Sequence, residues 1–143
     1  MSTFRPPDAG YEFRVRENFG RQSVMQLLGA SLARVEAGAV DILLPYRNDL
    51  TQQDGYLHAG IITTVADSAC GYAAYTLMPA GSNVLSVEFK VNLLRPASGD
   101  TFVAEARVLK AGGTLTVTRC DIYGRSADQS KLVATMLATM IRR

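Results

Sequence analysis

The chain has 143 residues and a mass of 15.5 kDa, which fits one domain and leaves no room for a second. With 48% hydrophobic and 20% charged residues it can bury a core, which excludes an intrinsically disordered protein. The net charge is only +2, and the basic residues are scattered singly apart from Arg142 and Arg143. This charge pattern argues against a nucleic-acid partner.

Cysteine usage and hydropathy indicate the compartment. Cys70 and Cys120 lie 50 residues apart in apolar surroundings, which predicts buried free thiols rather than a metal site or a disulfide scaffold. The first 30 residues contain acidic side chains and no apolar stretch typical of a signal peptide. No run approaches the ~20 apolar residues that span a membrane. We expect a cytoplasmic protein without a membrane partner.

The N-terminal part is polar and irregular in pattern. Residues 1–17 carry two adjacent prolines and alternating charges, so we expect a flexible, loosely attached segment there. Residues 18–143 are then a single domain. Asn18 is a suitable N-cap for a short amphipathic helix, which is expected to end at Gly29.

The middle of the chain combines a strand with a long helix. Period-two alternation predicts a strand over residues 32–44, interrupted at Gly38, and a loop follows over 46–57. Small and apolar residues at three- and four-residue spacing then predict a long helix over 59–78. Because this helix is apolar on more than one side, we expect other elements to enclose it. Asp67 is its conspicuous charge.

The last third of the chain alternates with period two. Strands are predicted over residues 84–94, 101–110, 114–123 and 131–141. Strict alternation in the first of them directs Ser86, Glu88 and Lys90 away from the helix. The sequence therefore predicts an α+β domain, with a long helix against a five-stranded antiparallel sheet whose last four strands form a meander.

One helix cannot cover both faces of such a sheet. We therefore expect an exposed edge or face to associate with a second copy, and a two-fold dimer is the simplest closed arrangement.

Polar residues with chemical potential lie around the start of the long helix. His58 is the only histidine, and Gly60 lets the backbone turn or approach a ligand without a side chain in the way. The first helical N–H groups have no intrahelical partner, so this helix start can hold a carbonyl oxygen as it gains negative charge.

Asp67 has two interpretations. It is either a structural carboxylate paired with a sheet cation such as Lys90, or a nucleophile or general base. Ala59 and Asp67 lie eight positions apart, about 12 Å along the helix axis, so they cannot act on one carbonyl within one chain. Two antiparallel copies of the helix at a dimer axis would bring Ala59 of one near Asp67 of the other.

The spacing of these residues resembles the hotdog-fold acyl-CoA thioesterases, specifically the PaaI-type branch linked to phenylacetate metabolism. That pattern has Asn or Gln, seven residues to the Gly of a His-Gly-Gly, then eight to an acidic residue. Here the same spacing reads Gln52, Ala59 and Asp67. Downstream, a strand that carries Ser86 and ends at Arg95-Pro96 matches the family in order and length. The resemblance covers about residues 20–141 and implies the hotdog fold.

The resemblance also implies a role for each site residue. The backbone N–H of Ala59 polarises the thioester carbonyl, and Asp67 of the partner subunit attacks it or activates water. Gln52 holds that water or the thioester oxygen, and Ser86 positions the nucleophile or water. His58 resembles a loop histidine that orders the site rather than taking a proton.

The implied substrate is an acyl-CoA with a small, medium-chain or aryl acyl group, bound without a metal or organic cofactor. Coenzyme A lies across the surface of a homodimer, which can pair into a tetramer. Arg95 is either a contact for its phosphates or a solvated turn residue. The family usually has Gly where this chain has Ala59, which narrows the approach of the thioester but keeps the N–H donor.

Two other functions compete with this one. A hotdog dehydratase or hydratase pairs a catalytic His with an acid across the dimer, but no segment here matches its pattern. A non-catalytic acyl-CoA sensor or binding module would lose the acid or gain a DNA-binding segment, whereas this chain keeps Asp67.

Overall fold

A long helix packs against one face of an antiparallel sheet in the computed structural model, which describes residues 3–143. The helices are α1 (Tyr11–Gly20), α2 (Ser23–Leu28) and α3 (Ala59–Tyr75), with a 3₁₀ turn at Asn48–Leu50. The strands are β1 (Ser31–Glu36), β2 (Ala39–Pro45), β3 (Val84–Leu93), β4 (Thr101–Ala111), β5 (Leu115–Ser126) and β6 (Gln129–Arg142).

The sheet has six strands in the order β1-β2-β4-β5-β6-β3, and each neighbouring pair is antiparallel. The strand predicted over residues 32–44 is a hairpin folded at Gly38, whose φ of +77° favours glycine, so the sheet has one strand more than predicted. The meander is confirmed for β4–β6 but wrong for β3, which pairs with β6. Because α3 carries the chain across the sheet, β3 begins at the edge opposite β1.

The predicted long helix is confirmed, and it forms the centre of the core. Its small side chains let it contact β2, β3, β4, β5 and β6, and most of its residues are buried. It ends three residues earlier than predicted, because Leu77 and Met78 form tighter turns, with bonds to the carbonyls three residues before them, ahead of Pro79. The Thr76 hydroxyl donates to the carbonyl of Ala73 (2.6 Å) and accepts from the N–H of Gly38 (2.8 Å), which ties the helix end to the β1–β2 hairpin.

The prediction of an irregular, loosely attached segment over residues 1–17 is wrong for the part that forms α1. Val15 in α1 is fully buried, and Arg14 bonds both the Asp8 carboxylate (2.6 Å) and the carbonyl of Met78 (2.9 Å). A single buried valine among charged residues gives almost no periodic signal, which is why the pattern missed this helix. Residues 1–2 lie outside the described residues.

The helix predicted to begin at Asn18 is also placed incorrectly. Asn18 lies inside α1, and a break at Arg21 and Gln22 separates α1 from α2. The predicted end is confirmed, because Gly29 caps α2 in the left-handed conformation with a φ of +73°.

Candidate active site

The start of α3 leaves one backbone donor free. The His58 side chain is the N-cap, since its Nδ1 accepts from the N–H of Gly60 (2.8 Å), and its carbonyl accepts from Ile61 and Ile62. Within residues 3–143 the N–H of Ala59 has no hydrogen-bond partner. The helix therefore presents this N–H, at the positive end of its dipole, to an incoming oxygen.

His58 has a structural duty at this position. Because Nδ1 accepts a hydrogen bond, the neutral ring carries its proton on Nε2. A Cβ added at Gly60 would lie 3.1 Å from that Nδ1, so the small residue gives the cap its room. The backbone N–H of His58 also donates to the carbonyl of Leu50 (3.0 Å), which fixes the loop to the helix start.

Gln52 orders the loop before α3 and keeps its amide nitrogen free. Its Oε1 accepts from the backbone N–H groups of Asp54 (2.6 Å) and Tyr56 (3.2 Å). Both donors are N–H groups, so the orientation of the amide is set by chemistry. No partner for Nε2 occurs in the part of the chain that the structure describes. Gln52 can thus donate to a carbonyl oxygen or a water.

Gln52 and Ala59 line a cavity of about 470 Å³ with mainly apolar walls from Leu93, Leu94 and neighbouring residues. Arg95 also lines it. Its guanidinium donates to the carbonyl of Leu132 (2.9 Å), which ties this exposed side chain to β6. The cavity is large enough for part of a small-molecule ligand.

Asp67 is half-buried on α3 and is bonded to β3. It accepts a hydrogen bond of 2.6 Å from the hydroxyl of Ser86. Among residues 3–143 it has no ion-pair partner, so the alternative of a salt bridge with Lys90 is wrong. A carboxylate held by one neutral donor keeps lone pairs available for chemistry.

A β-bulge directs Ser86 toward α3. Ser86 pairs with the fully buried Met140, but the register shifts before Glu88, which pairs with Thr139. Phe89, three residues after Ser86, then pairs with the fully buried Ala138, which lies on the same face of β6 as Met140. Ser86 and Phe89 therefore share the face of the sheet that carries these two buried residues. The predicted strict alternation, which turned Ser86 away from the helix, is therefore wrong at this bulge.

Asp67 and Ser86 line a second cavity of about 230 Å³. Asn18 and Gln22, from the junction of α1 and α2, also line it. Neither of these amides is among the site residues predicted from the sequence. Their only sequence signal is a pair of amides four positions apart, and the break after Gly20 means that this spacing does not place them on one helix face.

Within one chain the predicted site residues form two separate groups. Gln52, Ala59 and Arg95 line the first cavity, whereas Asp67 and Ser86 line the second. Eight helical positions separate the two groups by about 12 Å along α3. One chain therefore holds a group with free N–H donors and a group with a carboxylate, and the two do not meet.

The described residues show neither a cluster of metal ligands nor an exposed thiol. Over residues 3–143, no three His, Cys, Asp or Glu side chains converge to hold a metal ion. Cys70 and Cys120 are both free and fully buried, as predicted, and burial raises the pKa of the Cys120 thiol.

Comparison with known proteins gives the family. The sequence model of the Thioesterase superfamily matches residues 54–130, more than half of the chain. The protein belongs to this superfamily. A thioesterase family protein of known structure from Silicibacter pomeroyi is 49% identical, with a TM-score of 0.92 over 93% of this chain and 98% of that one. A candidate esterase of Halobacterium salinarum is 32% identical over 69% of this chain and 68% of the relative.

The resemblance to hotdog thioesterases is thereby confirmed, and this thioesterase is a hydrolase of thioesters. The E. coli PaaI protein from the phenylacetic acid degradation operon shares the fold, with a TM-score of 0.84, 21% identity and 93% coverage of each chain. None of the helices in residues 3–143 has the length and apolar character needed to cross a membrane.

Proposed function

We propose that this thioesterase hydrolyses acyl-CoA thioesters with small, medium-chain or aryl acyl groups, at two sites shared between the subunits of a homodimer. The observation that carries the proposal is the separation on α3: the free N–H of Ala59 and the carboxylate of Asp67 open into different cavities of one chain. Each chain gives its Ala59 N–H to one site and its Asp67 carboxylate to the other, and a two-fold axis brings the two kinds of group together.

The edge strand β3 is the proposed dimer contact. It pairs with β6 on one side, and its other edge has no partner strand among the described residues. Leu85, Val87, Phe89 and Leu93 are 43–55% exposed along it. A long apolar edge is a template for pairing with a second copy. Antiparallel pairing of two β3 strands would set two α3 helices side by side with opposite directions.

In this arrangement the carbonyl oxygen of the thioester binds the N–H of Ala59 and the Nε2 of Gln52 in one subunit. Both donors stabilise the negative charge that develops on the oxygen during attack. Helix α3 holds the first donor and the ordered loop holds the second, so neither must reorganise during the reaction.

Asp67 of the other subunit acts on the carbonyl carbon by one of two routes. As a general base it takes a proton from water while the water oxygen bonds to the carbon; the carbon–sulfur bond then breaks and the thiolate leaves with that proton. As a nucleophile its oxygen bonds to the carbon, the thiolate leaves, and water then cleaves the acid anhydride. Ser86 holds the carboxylate in place in both routes.

The binding path for coenzyme A follows the first cavity. Its apolar walls suit the pantetheine chain, Gly60 keeps room for the His58 cap beside it, and Arg95 is the proposed phosphate contact. The PaaI neighbour, from the phenylacetic acid degradation operon, supports including aryl acyl groups among the substrates.

The test is the release of free coenzyme A, followed with a thiol reagent over short, medium and aryl acyl-CoAs. Wild type is compared with Asp67→Asn and with the matched control Asp128→Asn, which changes an exposed carboxylate in the β5–β6 turn. We expect Asp67→Asn to lower kcat by about 100-fold or more and the control to keep wild-type rates.

Equal loss in both variants would contradict a chemical role for Asp67. Micromolar binding of acyl-CoA by a wild type that turns over none of them would overturn the enzymatic function. The protein would then be a non-catalytic acyl-CoA binding module.

A further inference from the structure

A chain of hydrogen bonds joins the N-terminal helices to α3 beside Asp67. The Ser68 hydroxyl donates to Oε1 of Gln22 (2.7 Å), and Nε2 of Gln22 donates to the Tyr72 hydroxyl (3.0 Å). The Tyr72 hydroxyl donates in turn to Oδ1 of Asn18 (2.9 Å). All four side chains line the cavity that contains Asp67.

Tyr72 anchors this network in the core. Tyr72 is 3% exposed, and its ring packs against Phe19 with centroids 5.8 Å apart. Burial raises the pKa of Tyr72 to about 12, so its hydroxyl remains a neutral donor at ordinary pH. The amides of Asn18 and Gln22 are therefore fixed before any ligand arrives.

Donors remain free at the end of the chain of hydrogen bonds. Gln22 uses one of its two Nε2 hydrogens, and Asn18 uses only its oxygen. Asn83, on the same cavity, makes no side-chain hydrogen bond within residues 3–143. An apolar acyl group would leave these N–H groups without partners, whereas an oxygen on the acyl group would accept from them.

We propose that Asn18 and Gln22 contact the acyl group and select short acyl chains that carry a neutral oxygen, a hydroxyl or an oxo group, at their far end. The inference rests on the proposed function and names its substrate class. It makes the α1–α2 junction a wall of the acyl site, while the first cavity takes the coenzyme A portion.

Size and charge define the limits of this class. The cavity of about 230 Å³ that one chain provides suits short acyl chains. Among residues 3–143 no Lys or Arg lines it, and Asp67 adds a negative charge. A terminal carboxylate on the acyl group would therefore be buried without a counter-ion, which is costly. Neutral oxygen is favoured over both a methyl group and a carboxylate.

The test uses acyl-CoAs matched in length. The four-carbon substrates are butanoyl-CoA, 4-hydroxybutanoyl-CoA and succinyl-CoA, which end in a methyl, a hydroxyl and a carboxylate. The six-carbon substrates carry the same three terminal groups, and kcat/KM is measured for each. We expect wild type to favour the hydroxyl over the methyl by about tenfold at one of the lengths, with the carboxylate last. In Gln22→Leu the ratio of hydroxyl to methyl falls to about one or inverts.

The matched control is Gln26→Leu, the same substitution on α2 at an exposed position outside both cavities. It should keep the wild-type ratio. If Gln22→Leu does not fold, Tyr72→Phe replaces it, because it removes the hydroxyl that fixes both amides and keeps the ring against Phe19.

Equal rates for methyl and hydroxyl chains at both lengths would overturn the inference, as would a preference that survives Gln22→Leu. Binding of the same acyl-CoAs to Asp67→Asn by calorimetry separates the two proposals. A hydroxyl preference in binding, without any turnover by wild type, would contradict the proposed hydrolysis and support the proposed acyl specificity. Turnover without a hydroxyl preference would support hydrolysis and contradict the acyl specificity.

Discussion

Ser86 donates a 2.6 Å hydrogen bond to the carboxylate of Asp67, from a bulged position of the edge strand β3 to the middle of α3. The bulge is what gives the bond its direction, since regular alternation would turn Ser86 to the opposite face. The position of the carboxylate therefore depends on a strand that is proposed to pair with a second subunit. Assembly and orientation of Asp67 are linked through this one strand.

The first prediction concerns the backbone donor of Ala59. Ala59→Pro removes the N–H and little else, because proline suits the first residue of a helix. The preceding His58 already has a φ of −62° and a ψ of 139°, which proline tolerates in its neighbour. We expect kcat to fall by about 100- to 1000-fold with unchanged thermal stability.

The same variant tests the shared site. Unfolded Ala59→Pro and Asp67→Asn chains are mixed in equal amounts and refolded together. Half of the dimers then combine the two variants, and each of these has one intact site, so about a quarter of wild-type activity returns. Activity that stays at the level of the separate variants would place both groups in one chain's site and exclude the composite arrangement.

Local patterns were sufficient for much of the fold. The start of α3 at Ala59 follows from the spacing of its small and apolar residues, and the end of α2 at Gly29 follows from capping chemistry. The helix α1 could not be predicted in this way, because Val15 supplies its only fully buried side chain. Its attachment depends on tertiary contacts made by Arg14.

In the candidate site, too, local spacing was predictable and long-range contacts were not. The spacing of Gln52, Ala59 and Asp67 was readable, because it is set by one loop and one helix. Asn18 and Gln22 reach the cavity from a segment more than 40 positions away in the chain, through bonds to Tyr72 and Ser68. Such a long-range polar contact leaves no periodic signal in the sequence.

The second prediction separates the two ends of the Gln52 amide. Gln52→Glu keeps an oxygen for the N–H groups of Asp54 and Tyr56 but loses the Nε2 donor. We expect a folded loop, an unchanged melting temperature and a kcat lower by about 100-fold, whereas Gln52→Ala also loses loop order. If Gln52→Glu retained wild-type kcat, the carbonyl would have to be held by Ala59 alone.

The third prediction concerns the cap at His58. His58→Ala removes the acceptor for the N–H of Gly60 and should lower the free energy of unfolding by about 1 kcal/mol, with a smaller kcat. His58→Asn supplies another capping oxygen and should restore both quantities. Chemical denaturation and coenzyme A release measure the two effects. A variant with restored stability and no restored kcat would instead show that the imidazole takes part in the chemistry.

The last prediction is a pH dependence that arises from Tyr72. Burial raises the pKa of this phenol to about 12 in the folded protein, against about 10 in an unfolded chain. Between these values the unfolded state releases the proton first, so it binds fewer protons than the folded state and stability falls as the pH rises. Below pH 10 this contribution is fully present, and above about 12 it is lost.

We expect the free energy of unfolding of wild type to decline more steeply between pH 10 and 12 than that of Tyr72→Phe, measured by urea denaturation. An absorbance titration at alkaline pH should show a late phenolate step that is missing in Tyr72→Phe; equal slopes and identical titrations would mean that the hydroxyl of Tyr72 is open to solvent and does not order Asn18 and Gln22.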